Sequence, residues 1–349
     1  MSNGYWMANE PTQMESSSGA GCTNQTHSGG AFYADVASGN DSWAGTSDCP
    51  TASIQAAVDL AGQGDSVIVR EGVYHEAITL DEPGMRLKAA DGERVILDGS
   101  RSVKDDLDGS WSVHDSSSSE GTVWKTDLSQ DAWQLFVDYQ EEMPARWPNA
   151  NFSDGTALND DDYWAHGSVD VDDYETDATT PCNDGMVKYQ SGSKYYCLNY
   201  VNGELEDDNS SYSGHDGLID SGVNATGAIA VLNIGSFRTW SRNVTSHNTS
   251  NGSFTFQEVP STEWKYKHHM YFLTQKLELL DVPGEWFFDH ESSTNTVYYM
   301  PRDGRDPNDL NIRMKTQPYA ILCSDDDGVV VEGFDYFATT FSLDDCDGS

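Results

Sequence analysis

The sequence predicts an all-β protein whose strands are wound as a parallel β-helix. Three observations carry this expectation. Short β-rich runs recur at intervals of about eight to eleven residues, separated by Gly, Asp and Pro. Val67-Ile68-Val69 and Val95-Ile96-Leu97 are unbroken apolar segments, the texture of strands buried on both faces, as in parallel sheets. No long helical pattern exists to serve as a crossover, so parallel strands must be joined by winding the chain as a solenoid.

The elements follow in chain order. Residues 1–31 are rich in Ser, Gly, Asn and Thr and read as a flexible leading segment. Phe32–Val36 is a short strand, followed by a polar loop to Pro50. Ile54, Ala57, Val58 and Ala61 repeat with helical spacing, a single amphipathic helix over Ala52–Ala61 that Gly62 and Gly64 end. Such a helix would cap the open end of a solenoid, where edge strands otherwise invite pairing. Strands are expected at Ser66–Val69, Gly72–Tyr74, Ala77–Leu80, Met85–Ala89 and Val95–Leu97. Residues 32–101 thus make the cap and first turn.

From 102 the texture changes. Acidic and Ser-rich loops interrupt aromatic strand candidates such as Trp133–Tyr139, and 102–315 reads as an inserted antiparallel β region. Within it, strands are expected at Ala228–Ile234, Ser253–Gln257 and Lys276–Leu280, with a hairpin of Trp286–Asp289 and Thr296–Met300. Over 316–349 the buried-strand texture returns at Tyr319–Cys323, Gly328–Phe334 and Phe341–Leu343. Two or three turns make a poorly capped solenoid, so the expectation is the N-terminal part of a longer protein.

The 349 residues include 37% hydrophobic and 11% aromatic residues, enough to bury a core. Against 19 basic residues stand 58 acidic ones, a formal net charge of −39. That charge repels nucleic acid and anionic membranes, because phosphate binding needs Lys and Arg to displace counterions. No apolar run approaches the ~18 residues of a membrane span. The acidic coat suits salty surroundings, and some Asp clusters offer the hard oxygen donors that Ca²⁺ takes.

Six cysteines suggest an oxidising compartment. Cys182 with Cys197 and Cys22 with Cys49 are the candidate disulfides, leaving Cys323 for Cys346; no CxxC spacing points to zinc. About eight Asn-x-Ser/Thr sequons, among them Asn24, Asn151, Asn224, Asn243 and Asn248, fit an extracellular or cell-surface glycoprotein. No basic-then-apolar leader precedes Cys22, so export requires that one was removed or is encoded upstream.

The stretch from Phe32-Tyr33-Ala34-Asp35 through Ser38-Gly39-Asn40-Asp41, Gly45-Thr46, Ser53–Val58, Gly64–Val69 and Gly72-Val73-Tyr74-His75-Glu76 resembles the cap and first turn of right-handed parallel β-helix proteins, the pectin-lyase-like superfamily. Gly92–Gly99 continues the likeness. Ala145-Arg146-Trp147-Pro148-Asn149, Leu279–Asp289 and Val297–Pro301 are similar to a secreted, polysaccharide-active subset of these proteins. The resemblance implies a right-handed winding and a carbohydrate partner. It is weakest over about 102–130 and 150–225.

Candidate chemistry is sparse. Arg146 beside Trp147 could face a sugar, the guanidinium meeting hydroxyls and the indole a pyranose face; alternatively Trp147 packs inside the insertion and Arg146 pairs with a carboxylate. Glu285 and Asp289 suggest a hydrolase, but residues i and i+4 on a strand lie about 13 Å apart, beyond the ~5–9.5 Å that glycoside hydrolysis uses. His268-His269 offers a base for a lyase, yet adjacent strand residues point to opposite faces. Asp325-Asp326-Asp327-Gly328 is either a Ca²⁺ loop or a solvated turn. No GxSxG, P-loop, HExxH or dinucleotide motif is present in context. The expected function is a carbohydrate-active enzyme, glycoside hydrolase or polysaccharide lyase. The alternative is a non-catalytic surface protein or adhesin using the β-helix as a rod.

Overall fold

The computed structural model describes residues 21–22, 26–167, 174–181, 187–191, 193–198, 203–211, 215–235, 238–259, 270–290, 294–324 and 328–344. Cys182, His268, His269, Asp325–Asp327 and Cys346, singled out from the sequence, lie outside them. The chain is mostly β with few, short helices, and its sheets are mixed. It divides into two compact units. One comprises Met1–Asp108, Gln130–Tyr139 and Asn311–Ser349, the other Gly109–Ser129 and Gln140–Leu310.

In the first unit, ten strands build three sheets of parallel strands. They are β1 (Ala31–Ala34), β2 (Ser66–Val69), β3 (Gly72–Tyr74), β4 (Ile78–Leu80), β5 (Arg86–Ala89), β6 (Val95–Asp98), β7 (Tyr319–Ser324), β8 (Val330–Glu332), β9 (Phe334–Phe337) and β10 (Thr340–Asp344). The sheet orders are β1-β2-β5-β8, β3-β6-β9 and β4-β7-β10, every neighbour parallel. β1 and β2 are consecutive and share a sheet, with α1 between them; from β2 onward successive strands go to successive sheets, and each sheet is revisited once the other two have been served. Between β6 and β7 the chain departs for more than two hundred residues.

Parallel pairing in register puts like positions into columns. Phe32, Val67 and Leu87 form one column; Tyr74 and Leu97 another; Ile78 with Ile321, and Leu80 with Cys323, two more. All are buried, and they make this unit's core. Ile68 corrects the expectation of strands buried on both faces. It points outward, half-buried, between the buried Val67 and Val69. Of these ten strands, only Val95–Asp98 is buried along its whole length.

Helix α1 (Ile54–Leu60) starts where Ser53 caps it, Oγ accepting from the Ala56 N–H at 3.2 Å. Its first two free amides, Ile54 and Gln55, donate to the Glu76 carboxylate at 2.8 and 3.0 Å. Ile54, Ala57 and Val58 are buried, and the helix packs on β1, β2 and β4. Cys22 is bonded to Cys49. Cys323 is disulfide-bonded too. A small antiparallel sheet of Leu135–Val137, Ile312–Lys315 and Ser100–Ser102 completes the unit.

The second unit is built of mainly antiparallel sheets. The central one runs Arg146–Trp147, Met270–Thr274, Ile229–Gly235, Arg238–Asn248, Ser253–Phe256 and Glu204–Glu206. Its core includes Ala230, Leu232, Phe254, Tyr271 and Leu273. Glu285–Asp289 and Thr296–Tyr299 form the expected hairpin. Lys276–Leu280 is no strand: left-handed Gln275 breaks the extended chain, and Leu277–Leu279 is a 3₁₀ turn. Gly328–Phe334 likewise divides into β8 and the start of β9, because Gly333 turns the chain at φ +87°. Cys197 lies on a strand opposite Lys188 and Tyr174.

Candidate functional site

In the second unit two of the three segments that carry the polysaccharide-active resemblance meet, Ala145–Asn149 and Leu279–Asp289. Met143–Pro144 pairs parallel with the first residues of Glu285–Asp289, which sets the Ala145–Asn149 segment beside Asp281–Glu285. The Arg146 N–H donates to Glu285 Oε1 at 3.2 Å, and the Asp281 N–H to Glu285 Oε2 at 3.3 Å. Asn149 Nδ2 donates to Asp281 Oδ1 at 2.9 Å. The Trp147–Pro148 peptide is cis.

The Arg146 side chain turns inward. Nε donates to the Pro148 carbonyl at 2.8 Å and Nη2 to the Tyr163 carbonyl at 2.9 Å, and the guanidinium lies 4.0 Å from the centre of the Phe272 ring. Burial pulls its pKa down to about 10, against the pull of Glu285. Trp147 stands edge-on to His215 and packs beside Tyr271. With 2% and 5% of their surfaces exposed, Arg146 and Trp147 are interior residues. What they support is the placement of Asn149, Asp281 and Glu285.

Three carboxyls here resist ionisation. Glu285 is 1% exposed; burial, reinforced by repulsion from Asp281, holds it well above the ordinary carboxylate range. Glu142 receives Arg302 Nε at 3.0 and 2.8 Å, yet burial wins and pushes it up to about 7. Asp281 sits at the surface, but the protein packed about its carboxyl raises it as well, with the Asn149 amide pulling the other way. Glu285 and Asp289 occupy opposite ends of one strand and are not brought together.

A second cluster, in the first unit, had not been picked out from the sequence. In-register pairing of Tyr74 with Leu97 carries His75 to the level of Asp98. Asp98 is 1% exposed and Arg313 is 5% exposed; Arg313 Nη2 lies 3.1 Å from Asp98 Oδ2 and its Nε donates to Ser100 Oγ at 2.8 Å. The Ser100 N–H and hydroxyl both donate to Asp98 Oδ1 at 2.7 Å. His75 Nδ1 is 3.0 Å from the Asp98 carbonyl and 3.8 Å from its carboxylate. A neutral His75 donating from Nδ1 keeps the lone pair on Nε2, and its side chain is a quarter exposed. Arg101 Nη2 donates to the His75 carbonyl at 3.0 Å.

Aromatic rings border this ion pair. Tyr139 stands edge-on to Phe337 with ring centres 5.3 Å apart, and the Arg313 guanidinium lies 5.7 Å from the Tyr139 ring centre. Asp138, Tyr139 and Ala338 all have left-handed backbones, at φ 49°, 61° and 50°. Such conformations cost a residue with a side chain on the order of 1–3 kcal/mol and concentrate where surroundings impose them. The arrangement sets an imidazole, a buried carboxylate, the Arg101 cation and aromatic surface side by side. Among the described residues, no group of three or more His, Cys, Asp or Glu is placed to hold a metal ion.

No protein-family model matches the chain, and no curated protein does. It is similar to a solved structure described as "Glycoside hydrolase", with a TM-score of 0.52 and 18% identity over 89% of this chain and 51% of that one. A structure titled "The complex structure of XylC with xylose" gives a TM-score of 0.37 and 16% identity, covering 89% of this chain and 36% of that one. The first likeness is one of fold. The chain spans about half the length of that structure.

Proposed function

We propose that this chain is the N-terminal region of an extracellular, carbohydrate-active protein built on a right-handed parallel β-helix, and that the whole protein cleaves glycosidic bonds of a polysaccharide. In this reading 32–101 and 316–349 belong to the helix, 102–315 is an inserted antiparallel region, and 1–31 leads into the cap. The observation that carries it is the fold likeness over 89% of the chain to a structure described as a glycoside hydrolase. The three parallel sheets with their buried columns support the β-helix; the disulfides and sequons support export.

His75 is the proton carrier of this proposal, with Asp98 beneath it and Arg101 and Tyr139 as the groups that meet sugar. Acid–base work by a positioned histidine suits both hydrolysis and elimination. Elimination would also need a cation for the uronate carboxylate, the role given to Arg101. The test is incubation of the protein with neutral and uronic polysaccharides, with and without Ca²⁺. New reducing ends alone indicate hydrolysis; reducing ends with an ultraviolet-absorbing unsaturated terminus indicate elimination. Folded, full-length protein that releases neither from any substrate overturns the enzyme reading.

One observation favours the alternative of a non-catalytic surface rod. Glu142 and Glu285, the carboxyls whose ionisation is most disturbed in the second unit, are 2% and 1% exposed and engaged with the protein's own groups. They serve the fold there.

A further inference from the structure

The columns of the first unit end abruptly at β8, β9 and β10. Parallel register places Tyr336 next after Tyr74 and Leu97, Phe341 after Ile78 and Ile321, and Leu343 after Leu80 and Cys323. The earlier members of each column are at most 2% exposed, whereas Tyr336, Phe341 and Leu343 are 37%, 51% and 38% exposed. These side chains occupy core positions, and among the described residues no further strand continues their columns. A cavity of about 330 Å³ opens among them, bordered by Ile321, Val329, Val331 and Phe334.

The backbone has the same one-sidedness. β8, β9 and β10 are each the last strand of their sheet, and among the described residues no strand pairs with their outer edges. Exposed edges are ordinarily blunted by Lys, Pro or a covering element. Val330-Val331-Glu332, Phe334-Asp335-Tyr336-Phe337 and Thr340-Phe341-Ser342-Leu343-Asp344 contain no Lys and no Pro. At the other end of the stack, α1 covers β1, β2 and β4.

We infer that the edges of β8, β9 and β10 are a docking surface for further parallel β-strands of the same polypeptide, following Ser349, whose inward side chains continue the three columns. A second copy of the chain fits less well. Two-fold pairing would bring like edges together antiparallel, losing the column register, and head-to-tail stacking would need the end that α1 covers. About half of the similar solved structure lies outside the matched region, which leaves length for such strands. The inference rests on the proposal that this is an N-terminal region, but its readouts are independent of any activity on sugar.

The first measurement is the intact mass of the protein isolated from its source, after removal of glycans. A mass well above 38.4 kDa is expected; a mature chain of 38.4 kDa overturns the inference. The second is hydrogen exchange, comparing the 349-residue chain with the longer polypeptide. Amides of β8–β10 should exchange at least tenfold more slowly in the longer protein, and the 349-residue chain should bind an apolar dye that Phe341→Lys largely abolishes without lowering Tm. Equal exchange in the two proteins, or a stable dimer of the 349-residue chain that protects β8–β10, overturns it. An inactive long protein with protected strands would count against the enzyme reading alone.

Discussion

Arg313 Nη2 lies 3.1 Å from Asp98 Oδ2, an ion pair closed between residues 215 positions apart in the chain. Both are buried, and Ser100 supplies the remaining donors to the carboxylate. Removing one partner of such a pair strands an uncompensated charge, which costs about 3–5 kcal/mol. Arg313→Met is therefore expected to lower stability by about that amount. Arg313→Met with Asp98→Asn should cost clearly less than the sum of the two single changes, since they share one interaction. Urea unfolding midpoints of the four proteins measure both quantities. A loss under about 1 kcal/mol for Arg313→Met would show that water reaches the pair.

His75 gives a prediction about activity. His75→Gln keeps an amide donor for the Asp98 carbonyl but cannot carry a proton. Under the proposed function, kcat on a cleaved polysaccharide should fall by about 10²–10⁴, with Tm within a few degrees of the parent. Full-rate turnover by the folded variant would remove His75 from the proposed mechanism.

Why the one site was legible and the other was not comes down to pairing distance. β2, β6 and the hairpin of Glu285–Asp289 with Thr296–Tyr299 stand out because apolar runs and turn residues are local signals. Arg146 and Trp147 stand out because Arg and Trp draw attention, yet nothing local says which way they point. Their burial is set by Phe272 and Tyr271 on a strand more than a hundred residues away. Asp98 carries a faint local trace: it extends the buried run Val95-Ile96-Leu97 where a turn would be expected. Its partners His75 and Arg313 become visible only once the register Tyr74–Leu97 and the strand Ile312–Lys315 are known.

The bond between Cys22 and Cys49 ties the segment before β1 to the loop after it, over a sequence separation of 27. A link of that span removes loop entropy from the unfolded chain, contributing about 2–4 kcal/mol. Cys22→Ser should lower the stability of the oxidised protein by that amount without changing its circular dichroism at 25 °C. An unchanged denaturant midpoint would mean that this end of the chain lies outside the cooperative unit.

Glu142 makes stability depend on pH, and its sign follows from proton counting. Its folded pKa is pushed up to about 7 by burial, whereas an unfolded chain releases the proton near the ordinary value of about 4.3. Between these values the folded protein holds a proton that the unfolded one has lost. Stability from this group is thus fully present below about pH 4.3 and declines as pH rises through about 7, by up to about 3 kcal/mol across the window. Glu285, also raised by burial, acts in the same direction. Glu142→Gln stays neutral at every pH and keeps an oxygen for Arg302, so it should flatten part of the slope. Urea unfolding at pH 5 and pH 8 reads this directly: the parent should lose more stability between the two than Glu142→Gln does. Equal losses would show that the Arg302 guanidinium, and not burial, governs the ionisation of Glu142.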